Sequence, residues 1–190
     1  DYKVTGVQTC ALPIYDVTGS KYDLVEVCAP WDSNLGKEIE KQGGKVFRMG
    51  PHNGFDLTTK AGLIKATKVL RETRPRHVHF SPACFPWSQF QNLNMKTEEQ
   101  RERLFEKRQL SRRLLKNLVT LGEIQVQELD GELSGEQPWT ASSWSEPTWS
   151  KLARMAGGRF RVDGCRFGMK SPENGLLFQK AWGFFCTNPR

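Results

Sequence analysis

YDLVEVCAPWDSNLGKEIEKQGGKVFRMGPHNGFDLTTKAGLIKATKVLRETRPRHVHFS, residues 22–81, decides the fold. Tyr22 to Cys28 is a short apolar run with β-branched residues, the pattern of a buried strand. Asp32 and Ser33 stand where a helix cap belongs, Leu35 and Ile39 share one helical face, and Gly43-Gly44 ends the helix. Lys45 to Met49 reads as a second strand. Thr58 caps a second helix carrying Leu63, Ala66, Val69 and Leu70 at helical spacing. That helix must stop before Pro75, because the residue preceding a proline is pushed out of the α region. His77 to Ser81 is the third strand, with His77 and His79 expected to be packed histidines. Strand, helix, strand, helix, strand within about sixty residues implies right-handed crossovers and a parallel sheet, whose ligands sit beyond the carboxyl ends of the strands.

Beyond residue 81 the alternation continues. Thr97 to about Leu129 reads as one long helix with Leu104, Leu110, Leu114, Leu118 and Leu121 on one side. Between Arg101 and Lys116 this helix holds Arg101, Arg103, Lys107, Arg108, Arg112, Arg113 and Lys116 against Glu102 and Glu106. Such a face is either solvated and laced with i to i+4 pairs or a track for phosphates. Asp130-Gly131 stops it. A short strand, Glu132 to Glu136, follows, then the stretch containing Trp139, Trp144 and Trp149, better suited to packing than to base stacking. A helix from Pro147 to Ala156 and two strands, Arg159 to Cys165 and Ala181 to Thr187, complete the pattern.

Composition narrows the class. In 190 residues, 37% hydrophobic and 26% charged content can close one α/β-sized core, and no stretch approaches the roughly 20 apolar residues that span a bilayer. Lys and Arg exceed Asp and Glu by 28 to 21, a net charge of +7 that favours polyanionic partners such as DNA. Cys10, Cys28, Cys84, Cys165 and Cys186 lie too far apart for the paired spacing of a zinc site, so no metal is expected and a reducing, intracellular compartment is. Residues 4–14 resemble the translation of a sequencing-library adapter. The expectation is therefore an artefactual or disordered tail over 1–14 and a single domain over 15–190, a fragment of a longer reading frame.

One segment carries a chemical signal, Ser81-Pro82-Ala83-Cys84-Phe85-Pro86-Trp87-Ser88, directly after the third strand. Two prolines stiffen the loop and set the approach angle of a thiol at the carboxyl edge of the sheet. The bland alternative is that Cys84 is a small buried hydrophobe and that Phe85 and Trp87 anchor the core. Pro82-x-Cys84-x-Pro86-Trp87-Ser88 resembles the catalytic loop of cytosine carbon-5 DNA methyltransferases. Val25 to Gly36 resembles the first cofactor strand and loop of that family. Asp56-Leu57 resembles its acidic-apolar pair, Glu136-Gln137-Pro138 its glutamate element and Phe167-Gly168 the start of its late aromatic-Gly motif, all in the family's order. The likeness covers roughly Asp23 to Thr187 and extends to methylase-like segments of retroelement-type polyproteins.

The resemblance implies a Rossmann-like three-layer α/β sandwich, its mostly parallel sheet ending in an antiparallel strand pair. It also implies methyl transfer from S-adenosylmethionine to cytosine in DNA, in the nucleus if the source is eukaryotic. Cys84 would add to carbon 6 of the ring and Glu136 would hold ring nitrogen 3, with Glu128 as the competing acid if the long helix ends early. Glu26, Cys28, Ala29, Asp32, Asp56 and Pro82 would line the cofactor side, and Arg101 to Lys116 would follow the DNA backbone. The chain departs from the family at several points. Cys28-Ala29-Pro30-Trp31 replaces the glycine-rich turn, where bulky side chains obstruct close backbone contact, and Arg48-Met49-Gly50 replaces the acid for ribose hydroxyls. A target-recognition domain would lie beyond this chain or not exist. These departures define the alternative, a catalytically inactive methyltransferase-like domain that binds nucleic acid or protein.

Overall fold

β1 (Leu24–Val27), α1 (Asn34–Lys41), β2 (Val46–Met49), α2 (Lys60–Thr73) and β3 (His77–Phe80) follow one another as the alternation of residues 22–81 predicts. The computed structural model describes residues 20–171 and 173–188, the side chains of Asn92 and Asn94 excepted. The expectations for residues 1–14, including Cys10, lie outside the described residues. Ser33 caps α1, its hydroxyl accepting from the Gly36 amide at 3.1 Å. Thr59, not Thr58, caps α2, accepting from the Gly62 amide at 3.0 Å. Thr58 is shifted out of that role because its amide and hydroxyl both donate to Asp56 Oδ1. Arg74, at φ 43, ends α2 ahead of Pro75.

Then come α3 (Phe90–Asn94), α4 (Glu98–Glu123), β4 (Glu132–Pro138), α5 (Pro147–Met155), β5 (Phe160–Asp163) and β6 (Ala181–Cys186). α3 has no counterpart in the sequence expectation, since its Phe90 and Leu93 are exposed and make no buried stripe. α4 begins with a capping box between Thr97 and Gln100 and runs into one π-helical turn, Ile124–Glu128. There the fully buried Gln125 donates Nε2 to the Pro75 carbonyl at 2.8 Å. Asp130, at φ 54, and Gly131 terminate the run, and a side chain at Gly131 would collide with that same amide.

The sheet order among the described residues is β2-β1-β3-β4-β6-β5. The first four strands are parallel, and β6 runs antiparallel to both β4 and β5. The class is α/β, with a mixed six-stranded sheet. Side chains alternate across it. Val25, Val27, Val78, Phe80, Leu133 and Phe185 meet Ala66 and Leu70 of α2, Leu115 and Leu118 of α4, and Trp149 and Leu152 of α5. Each such burial is worth about 1.5–3 kcal/mol. Trp149 and Phe185 pack edge to face at 5.0 Å, which bears out the packing role expected of the tryptophans at that position. Leu110 is a correction: it is 49% exposed, one residue off the buried row of Leu104, Ser111, Leu115, Leu118 and Gly122. The opposite face carries Leu24, Glu26, His77, His79, Ser134 and Phe184, and α1 lies over the β1 side of it.

No helix of the described residues is long and apolar enough to cross a membrane. Among the same residues no group of three or more His, Cys, Asp and Glu is disposed to hold a metal ion.

Candidate functional site

The order of the strands reverses at β1, which has β2 on one side and β3 on the other, and such a switch point opens a crevice at the carboxyl ends. Two loops meet there, joined by the Ser81 amide donating to the Val27 carbonyl at 3.0 Å.

The loop after β3 is clamped from three sides. Gln137, buried in β4, donates to the Pro82 carbonyl, and its own Oε1 accepts from Ser143. The Trp87 amide donates to the Cys84 carbonyl at 3.0 Å, closing a tight turn over Phe85–Trp87 with Pro86 inside it. Trp87 is buried and donates Nε1 to Ser111 of α4 at 2.8 Å, while Arg108 Nε reaches the Pro86 carbonyl at 3.0 Å. Trp87 is therefore the core anchor, whereas Phe85 is 53% exposed and Cys84 is half-buried. Cys84 is not a packed core thiol.

Glu136 lies on β4 one position past the Phe80–Gly135 pair, which sets it beside Ser81. Burial pushes its carboxyl above the ordinary value, opposed by the nearby Lys180 and a hydrogen bond with Ser81, and the charge of Glu26 raises it further. Glu136 and Cys84 thus belong to the same edge of the sheet. Glu128 does not: it sits in the π-helical turn, exposed and bound to Arg71 through two 2.9 Å contacts.

At the β1–α1 loop, Cys28 adopts φ 66, the left-handed conformation that a glycine would take. Its thiol is turned inward, and burial pushes it up to about 12. Trp31 projects outward at 73% exposure and Ala29 is buried. The turn thus keeps a glycine-like backbone at Cys28, with Pro30 and Trp31 on its outer side. The donors fare otherwise. Glu26 is 1% exposed; it accepts from Ser33 Oγ at 2.5 Å and meets Arg48 Nε at 3.5 Å, and burial outweighs both to raise its carboxyl. Arg48 also grips Glu40 at 2.8 and 2.9 Å. Asp32 is exposed, and Asp56 spends its carboxylate on Thr58, which lowers it.

α4 supplies the basic face, with several of its cations already engaged. Arg101 and Arg103 pair with Glu98 and Glu99 in the first turn, and Arg112 holds Glu146 at 2.9 Å. Lys107 lies over the Phe85 ring with Nζ 5.0 Å from its centroid. Phe85, Gln91, Met95, Gln100, Arg103, Leu104 and Lys107 enclose a small hollow of about 180 Å³ beside the thiol loop.

Glu26, Cys28 and Ala29 lie on β1 and the loop after it, Pro82 and Cys84 on the loop after β3 and Glu136 on β4, all toward the carboxyl edge of the sheet, with Asp32 exposed on the β1–α1 loop. Asp56 is held in its own turn at the start of α2. Ser81, Gln137, Arg48 and Lys180 were not singled out as site residues. Gln137 stands inside the quoted Glu-Gln-Pro element, while Lys180 and Arg48 act through pairings that no local pattern announces. Comparison with family models and with curated proteins finds no match for this chain.

Proposed function

We propose that this chain is a Rossmann-like, methyltransferase-like α/β domain that binds nucleic acid through the surface formed by α4 and the thiol loop and does not itself transfer methyl groups. The observation that carries this reading is Lys107 lying over the exposed Phe85 ring, one residue from Cys84. A cation and an aromatic face, next to a row of lysines and arginines, suit a sugar-phosphate backbone and a stacked base. Four parallel strands followed by an antiparallel pair support the three-layer methyltransferase-type assignment.

The residues present do not fit S-adenosylmethionine. Glu26 is neutralised from within by Ser33 and Arg48, Asp56 is consumed by Thr58, and no acid follows β2 to hold ribose hydroxyls. Titration of the protein with S-adenosylmethionine by calorimetry is expected to give no heat at millimolar ligand. In parallel, a labelled oligonucleotide is expected to bind with an affinity that falls as salt rises. A stoichiometric heat of binding would overturn the silent reading.

Glu136 favours a second reading, cytosine carbon-5 methylation. A carboxyl raised by burial is suited to carry a proton to ring nitrogen 3 while the Cys84 thiolate adds to carbon 6. In that addition the sulfur–carbon bond forms at carbon 6, the 5,6 π pair shifts into the bond between carbons 4 and 5, the π pair between carbon 4 and nitrogen 3 moves onto nitrogen 3, and that nitrogen takes the Glu136 proton. Radiolabelled methyl incorporation into DNA that disappears in Cys84→Ser would establish it.

A further inference from the structure

On the sheet face that carries α1, a hollow of about 380 Å³ lies away from the thiol loop, within the size range of small-molecule sites. Its walls are mostly apolar, with Leu24 of β1, Leu35 and Ile39 of α1, and the stacked rings of Phe160 and Phe184, 6.0 Å apart and 21° from parallel, while Asp23, Glu38, Gln42 and Arg76 also line it. Its floor is polar, made of His77, His79 and Ser134, all buried.

The floor is one chain of hydrogen bonds. Glu132 Oε2 lies 3.2 Å from His77 Nδ1, His77 Nε2 lies 2.6 Å from Ser134 Oγ, and Ser134 Oγ lies 2.7 Å from His79 Nδ1. The bond with His77 holds the Glu132 carboxyl below its ordinary value, so Glu132 is an ionised acceptor. With both imidazoles neutral, one proton arrangement satisfies every contact. His77 Nδ1–H donates to Glu132, so His77 Nε2 accepts from the Ser134 hydroxyl. The Ser134 oxygen then accepts from His79 Nδ1–H, and His79 Nε2 is left as a bare lone pair. Burial holds His79 neutral, its value down to about 3. His79 lines the hollow, and Nε2 is the ring atom that the floor's chain of hydrogen bonds leaves over. A ligand bound in the hollow that carries an N–H or O–H can donate to that nitrogen.

We propose that this hollow binds a small aromatic molecule of the phenol or indole class, its ring against Phe160 and Phe184 and its single O–H or N–H donated to His79 Nε2. The inference is independent of the nucleic-acid surface, because β1, α1, β3, β4, β5 and β6 supply the hollow and neither Cys84 nor α4 takes part.

The test is a titration of the full ¹⁵N-labelled chain at pH 8 with indole and, separately, with benzothiophene, which has the same shape but sulfur in place of N–H. Indole is expected to give saturable shifts at the His79 ring nitrogens and at Phe160, Phe184 and Ile39. Benzothiophene is expected to bind about five- to tenfold more weakly, the loss of one hydrogen bond to a buried acceptor. Phe160→Ala, at an edge-strand residue 39% exposed, is expected to weaken indole severalfold while the protein stays folded. Equal affinity for the two probes overturns the donor assignment. Absence of saturable shifts, as when another polypeptide segment is seated there, overturns the site.

Discussion

The two cysteines of the site differ as residues before any question of chemistry. Both are half-buried, but Cys84 sits in a proline-braced turn whereas Cys28 packs against the core with its thiol pushed up to about 12. Only a thiolate is nucleophilic, so iodoacetamide is expected to label Cys84 in the folded protein and Cys28 only after denaturation, read by mass spectrometry of the separated peptides. Native labelling of Cys28 would mean that its loop opens. Glu136 gives a pH prediction whose sign follows from burial. Its folded value lies above the unfolded 4.5, so the folded state holds the proton more tightly. The associated stability is complete below 4.5 and drains away as the pH rises through the raised value. Glu136→Gln is therefore expected to melt higher than the parent at pH 8, with the difference closing near pH 4. His79 works on the acid side: its value is down to about 3, while an unfolded histidine takes its proton near 6.5. Stability is lost as the pH falls between those values, by roughly 5 kcal/mol at most.

The elements were largely legible because each one's punctuation is local. Gly43-Gly44, Pro75 and Asp130-Gly131 mark ends that depend on a few neighbouring residues, and the strands from Leu24 to Phe80 keep their alternation in the sheet. What escaped the sequence depends on partners far along the chain. Arg48 looks like a lost acid, yet it is the cation that closes over Glu26 across the β1–β2 register. Thr58 yields the cap to Thr59 because Asp56 captures it first. The motif order points to Glu136 and Cys84, whereas the role of Gln137 in tying their two elements together depends on a contact with Pro82 across the sheet. Gly36 shows how tightly α1 is seated: a methyl group there would run into the Glu26 carboxylate and the Arg48 guanidinium. Gly36→Ala is expected to cost about 1–3 kcal/mol in chemical denaturation, with the slope of the transition unchanged. Ser33→Ala, which removes both the helix cap and the hydroxyl donor to Glu26, is expected to cost about 1–2 kcal/mol.

For the whole molecule, a net charge of +7 understates how the cations are distributed. Arg101, Arg103 and Arg112 are already matched by glutamates, so the seven basic residues visible in the sequence overstate the number free to meet phosphates. Lys107→Ala and Arg113→Ala are each expected to lower the dependence of log affinity on log salt by about one phosphate contact, measured by fluorescence anisotropy of an oligonucleotide. An unchanged slope in both would move the binding surface off α4. The strand order carries one more consequence. β6, the last strand in sequence, is the one that fills the space between β4 and β5. During synthesis on the ribosome, β4 therefore waits with its outer edge unpaired while some forty further residues are added. The nascent chain is most open to wrong partners in that interval, and a chaperone that shields β4 would raise the yield of folded protein more than one acting on the earlier βαβ half.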